Sequence, residues 1–170
     1  GLGAYLLLRG EEDSELEGNY FFDKLLGARI KFITPEEYRD HRNEIMESIK
    51  DELSKEGHKA DIIPEGASNG IGSLGYCNAM LEILQQQRQI GVKFDAIVCS
   101  VGSGGTYSGL YYGNKVMRND AVIYGINIAA DKEYFINKVE SLLHELVRYV
   151  GGEVDIDRNS IDIIDGYAGL

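Results

Sequence analysis

The sequence predicts an α/β fold with mostly parallel sheet, arranged as two small lobes. Three observations carry this prediction. Apolar runs of strand length alternate with amphipathic runs of helix length along the whole chain, the rhythm of parallel strands joined by right-handed crossover helices. A turn-rich crossing, Pro64-Glu65-Gly66-Ala67-Ser68-Asn69-Gly70, interrupts that rhythm and divides residues 1–63 from residues 64–170. In the second part an apolar run breaks into Gly102-Ser103-Gly104-Gly105-Thr106, and a helical pattern starts straight afterwards.

The elements of the first part follow in order. Residues 4–8 form a short apolar run of strand type, and the acidic stretch at residues 11–15 reads as a solvated loop. Asn19 is placed to cap a helix carrying Phe21, Phe22, Leu25 and Leu26, which Gly27 stops. Residues 29–33 read as a second strand. Thr34-Pro35-Glu36-Glu37 is a strong helix start: a capping residue, proline in the first turn, then acids at the positive end of the dipole. That helix directs Tyr38, Ile45, Met46, Ile49 and Leu53 toward a core and stops at Gly57. Residues 60–63 read as a third strand, halted by Pro64.

In the second part a long helix carries Leu74, Cys77, Met80, Leu81 and Leu84. The apolar run at residues 96–101 predicts a strand buried on both faces. Thr106 is placed as the N-cap of the next helix, on which Tyr107, Leu110 and Tyr111 recur. Tyr111 and Tyr112 read first as core residues, with a pocket or dimer contact as the alternative. Residues 122–128 give a strand, residues 132–150 an amphipathic helix with Phe135, Val139, Leu142, Leu143, Leu146 and Val150 on one face, and residues 160–164 a last strand. No internal repeat or low-complexity tract is present.

Composition narrows the function classes. The 170 residues are 44% hydrophobic and 26% charged, as expected of a globular chain. A net charge of −11 and a pI near 4.7 argue against a nucleic-acid partner, which wants a basic stripe. They leave room for one bound phosphate, because a local nest of N–H groups outweighs a diffuse surface charge. No apolar run approaches a membrane span and no signal-type segment opens the sequence, so a cytoplasmic protein with no membrane partner is expected. Cys77 and Cys99 read as small buried hydrophobes in a reducing compartment. His41, His58 and His144 pair with no cysteine at ligand spacing, so no metal is expected. Both ends abut apolar strands and glycines, and the chain is expected to be truncated at each; strand edges left open would favour a homo-oligomer.

The strand, glycine loop and helix start around residues 96–110 form a device for holding a phosphate. Glycines admit the oxygens close to the backbone, and the first helical turn offers free N–H donors at a positive dipole end. A dinucleotide fingerprint would need glycine at Tyr107, and Ile126-Asn127-Ile128 lacks the acid that holds a ribose. A P-loop would need Lys and Ser/Thr where Leu110 and Tyr111 stand. The phosphate therefore belongs to something other than NAD or ATP. The bland alternative is a tight strand-to-helix turn that binds nothing.

Two motifs in order resemble a known family. Pro64-Glu65-Gly66-Ala67-Ser68-Asn69, with Leu74-Gly75-Tyr76 after it, precedes Cys99-Ser100-Val101-Gly102-Ser103-Gly104-Gly105-Thr106. Together they resemble the D-cysteine desulfhydrase / 1-aminocyclopropane-1-carboxylate (ACC) deaminase family, pyridoxal-phosphate enzymes of the tryptophan-synthase β-subunit fold type (fold type II). Leu6-Leu7-Leu8-Arg9-Gly10-Glu11-Glu12, followed by Gly18-Asn19-Tyr20 and Asp23-Lys24-Leu25-Leu26-Gly27-Ala28, is similar to the family's smaller domain. The likeness covers essentially the whole chain.

The resemblance implies three-layer α/β/α lobes, the smaller within residues 1–63 and the larger, cofactor-phosphate-binding one within residues 64–170. It implies pyridoxal 5′-phosphate as cofactor and a small amino acid as substrate. It places Gly102, Ser103, Gly104, Gly105 and Thr106 around the cofactor phosphate, and Gly66, Ser68 and Asn69 at a wall of the active site. The Gly-Ser-Gly-Gly-Thr loop is closer to the desulfhydrase branch than to the shorter loop of ACC deaminases. The family's cofactor lysine sits in a Ser-Gly-Asn-Lys-like motif upstream of the stretch matched here, and the nine lysines of this chain all fall in other contexts. The chain is thus similar to the middle of a longer lyase or deaminase, carries no catalytic residue of its own, and is expected to be inactive alone. Two other readings fit the same residues: a non-catalytic fragment, and a nucleotide- or sugar-phosphate-binding α/β module with a convergent glycine loop.

Overall fold

A computed structural model describes residues 2–11, 15–129, 131–151 and 155–167. Residues 12–14 of the acidic stretch lie outside them. The chain divides into two compact units, residues 1–62 and 63–170.

In the first unit, β1 (Tyr5–Arg9) and β2 (Arg29–Ile33) pair in parallel, with Tyr5 opposite Arg29 and Arg9 opposite Ile33. Between them runs α1 (Gly18–Leu25), which leaves Phe22, Leu25 and Leu26 exposed. Its N-cap is Glu17, without a side-chain bond, and not Asn19. The helix starts early enough to put Asn19 inside its first turn, where a side chain cannot accept from the amides that need capping. Thr34 starts α2 (Pro35–Asp40) with a full capping box: its hydroxyl accepts from Glu37 N–H at 3.2 Å, and Thr34 N–H donates to Glu37 Oε2 at 2.9 Å. The helix expected to run on to Gly57 is interrupted. His41, at φ −126° and ψ 3°, leaves helical geometry, and its ring meets Glu44 in the first turn of α3 (Arg42–Lys55). Residues 60–63 are not a strand, since no neighbouring strand pairs with them among the described residues.

In the second unit α4 (Gly70–Ile90) is capped by Asn69, whose Oδ1 accepts from Gly72 N–H at 2.7 Å, and ends at the left-handed Gly91. Then come β3 (Ala96–Val101), α5 (Gly105–Val116), β4 (Val122–Asn127), α6 (Lys132–Val150) and β5 (Asp162–Ile164). The strands are parallel in the order β3-β4-β5. The face bearing Ile97, Cys99, Val101, Ile123 and Ile163 packs on α5 and α6. From α6, Phe135, Val139, Leu142, Leu143 and Leu146 are buried; Val150, beyond the packed stretch, is exposed. Tyr111 and Tyr112 are core residues.

β3 is not buried on both faces. As an edge strand it alternates, and Val98 on the open side is 62% exposed. The run is apolar except at Ser100, which lies with Val98 on the open side; the run marks the element but not which face is covered.

Two contacts set the start of α5. Tyr107 is fully buried, and its hydroxyl donates to Ile123 O at 3.1 Å while accepting from Asp162 N–H at 2.8 Å, so one side chain ties α5 to β4 and β5. Burial pushes its phenol up from the ordinary value. Gly109 lets α5 press on α4: a Cβ there would stand 2.6 Å from Tyr76 Cβ. That close approach brings the start of α4, and the turn before it, to the start of α5.

Candidate functional site

The loop after β3 turns into α5 through Gly104, which takes φ +91° and ψ −17° as the helix N-cap. A side chain is strained in that region, and a Cβ there would meet Leu142 Cδ1 at 3.1 Å and Lys138 Cγ at 3.5 Å. Thr106 is therefore not the cap. It is the second helical residue, half-buried beside the loop. The first bond back into the helix is made by Ser108, whose N–H donates to Gly104 O at 3.0 Å. The amides of Thr106 and Tyr107 precede it and have no carbonyl one turn back, so they form the positive end of a 12-residue helix. Gly102 is exposed, and a Cβ on it would find only Ile128 at ordinary contact distance, so the loop is open on that side.

The turn at residues 66–68 leans on this loop. Gly66 and Ala67 both take positive φ, +66° and +50°. Ser68, 5% exposed, accepts from Gly105 N–H at 3.1 Å and donates to Ser103 Oγ at 2.7 Å. Both glycines are required for this clasp. A Cβ on Gly105 would stand 2.7 Å from Ser68 Oγ, and one on Gly66 would stand 2.5 Å from Ser103 Oγ.

Of the residues singled out from sequence, the structure brings Gly102, Ser103, Gly104, Gly105, Thr106, Gly66 and Ser68 together. Asn69 lies next to them but uses its side chain to cap α4. The link between Ser68 and Ser103 was not readable, because 35 residues separate them and neither lies on a periodic face. Lys138 was also missed; its stem packs near Gly104 from α6, and its position one residue before the buried Val139 was the signal available. Burial pushes the Cys99 thiol up to about 11, so it stays protonated and is no nucleophile. Among the described residues no group of three or more metal-ligating side chains is assembled.

This arrangement can hold an anion with N–H and O–H donors. The family model described as "Pyridoxal-phosphate dependent enzyme" matches residues 9–169. The chain belongs to that family. It is 38% identical over 170 residues to the protein of Thermotoga maritima named "Putative 1-aminocyclopropane-1-carboxylate deaminase", covering 99% of this chain and 52% of the relative. It is 37% identical over 153 residues to the mitochondrial bifunctional D-cysteine desulfhydrase/1-aminocyclopropane-1-carboxylate deaminase of Arabidopsis thaliana, covering 85% and 38%. The crystal structure of an ACC deaminase homologue superposes with a TM-score of 0.80 at 36% identity, over 97% of this chain and 48% of that one. The chain thus spans about half the length of the curated relative from Thermotoga.

The fold is accordingly that of the fold type II pyridoxal-phosphate enzymes. The residues present fit the phosphate end of the family's cofactor. Gly102 leaves open a space that a side chain would fill, and the polar groups facing the loop are a helix start and hydroxyls.

Proposed function

We propose that Gly102, Ser103, Gly104, Gly105 and Thr106 hold the phosphate of pyridoxal 5′-phosphate, with Gly66 and Ser68 as the wall beside it and Asn69 fixing that wall to α4. The single observation that carries this reading is Gly104, left-handed at the head of α5 and followed by amides with no intrahelical acceptor. The cofactor, when bound, supplies an electron sink for an amino-acid substrate. The chain's own part is to anchor and orient it by the phosphate.

The whole protein is read as a lyase or deaminase of a small amino acid, D-cysteine desulfhydrase-like or ACC deaminase-like, with residues 1–63 in a smaller lobe and residues 64–170 in the phosphate-binding one. The resemblance of both motifs to that family supports this. No lysine here lies in the family's cofactor-lysine context, so the 170-residue chain is read as inactive by itself. It is read as cytoplasmic: among the described residues no helix is long and apolar enough to cross a membrane, and a net charge of −11 disfavours nucleic acid. The unpaired edge of β3 and exposed Val98 on its open face support self-association into a homo-oligomer, which sedimentation velocity checks.

The decisive test is Gly102→Val. A side chain is tolerated there by the fold but fills the open side of the loop. Binding of pyridoxine 5′-phosphate, which has no aldehyde to react with surface lysines, should be lost in the variant and present in the parent chain, while neither releases ammonia from D-cysteine or ACC. Equal affinity in the two chains refutes the assignment of the loop. Ammonia release refutes inactivity.

A further inference from the structure

The two hydroxyls between the glycine loop and the preceding turn have a fixed polarity. The Gly105 amide can only donate, so Ser68 Oγ is its acceptor, at 3.1 Å. A buried hydroxyl needs an acceptor for its own proton, and Ser103 Oγ at 2.7 Å takes it. Ser103 therefore receives on the side facing Ser68 and has its own proton to give elsewhere. Ser68 is buried, whereas Ser103 is half-buried within the loop itself. The series begins on the first amide of α5, at the positive end of the helix, and each bond polarises the next in the same direction.

We propose that Ser68 is a positioning residue: it does not touch the phosphate but aims the Ser103 hydroxyl proton at it. This rests on the reading that residues 102–106 hold a phosphate. A hydroxyl left to rotate would divide its proton between orientations; one that must accept from Ser68 is turned toward the loop before any ligand arrives. The same geometry explains why residues 66 and 105 are both glycine, since a Cβ at either would displace one of the two oxygens.

The experiment is a double-mutant cycle on the full 170-residue chain with pyridoxine 5′-phosphate as the probe. Ser103→Ala and Ser68→Ala should each weaken binding roughly tenfold, which corresponds to about 1.4 kcal/mol. The double variant should be no weaker than either single one, because Ser68 acts only through Ser103. The 31P resonance gives a second readout: both single variants should move protonation of the bound phosphate to higher pH, Ser68→Ala by no more than Ser103→Ala, since one loses the aim of the donor and the other the donor itself. A helix cap alone would not move that titration.

A further loss when Ser68→Ala is added to Ser103→Ala overturns the proposal, as it would make Ser68 a direct ligand or a purely structural residue. So does a Ser68→Ala chain that binds normally. If Ser68→Ala lowers stability too far for binding to be measured, Ser103→Ala decides alone, and an unmoved affinity or 31P titration there overturns the proposal. Wild-type binding that persists in Gly102→Val removes the phosphate reading itself. Loss in Gly102→Val with no effect of either serine removes only the role of Ser68.

Discussion

In residues 63–170, α5 and α6 bury Tyr107, Phe135, Val139, Leu143 and Leu146 against one face of three parallel strands, whereas residues 1–62 bury Ile33 and Ile49 alone among the described large apolar side chains. Each large apolar side chain taken out of water contributes about 1.5–3 kcal/mol, so the second unit is held by its interior. The first relies on devices that act within a few residues, the capping box at Thr34 and the helix-ending glycines Gly27 and Gly57 at positive φ, and on the surface pair Arg29–Glu56, 27 residues apart in sequence. The glycine loop belongs to the packed unit. A site that must present several amides at fixed angles needs a rigid support, and only one of the two units offers it.

The comparison breaks first if core and surface substitutions turn out alike. Leu146→Ala, at a fully buried position of α6, should destabilise the second unit by about 2–5 kcal/mol. Leu26→Ala, on the exposed side of the first unit, should stay within about 0.5 kcal/mol. Urea midpoints measure both, and similar shifts would mean that the first unit hides a core of its own. A smaller effect sharpens the picture. Thr34→Ala removes the capping box and should cost about 1 kcal/mol, read as faster hydrogen exchange in α2 with β3–β5 unaffected.

The smallest effect is electrostatic. The side-chain hydrogen bond and then the charge of Arg29, 2.9 Å away, hold the Glu56 carboxyl below its usual value of 4.5. A depressed folded-state value contributes stability above the unfolded one and loses it as pH falls through the folded one. Arg29→Ala should therefore flatten the acid side of the stability profile, as pH falls below the usual 4.5 of the carboxyl, and salt should mimic it because the pair is exposed. A profile unchanged by the substitution would show that the pair plays no part.

Local signals were legible and remote ones were not. β2 and α6 occupy the residues that pattern alone assigns, because alternation and the 3.6-residue repeat are written in neighbouring positions. The capping box was readable for the same reason. Residues 60–63 and the two faces of 96–101 were misread because covering and pairing depend on what lies alongside, and an apolar run looks the same with one covered face or two. At the site, the glycines marked a strand-to-helix loop, but the cap is Gly104 and not Thr106, since glycine alone takes φ +91° without strain. The hydroxyl pair Ser68–Ser103 exists only in three dimensions.

Tyr107 gives the loop a kinetic character. Its hydroxyl bridges Ile123 and Asp162 two residues after Gly105, so the head of α5 is pinned to the sheet from beneath whether or not anything sits above it. The cost of ordering that segment is met during folding, not at each encounter. A phosphate held there as proposed would meet a helix head already in place, with no ordering of that segment left for the moment of binding.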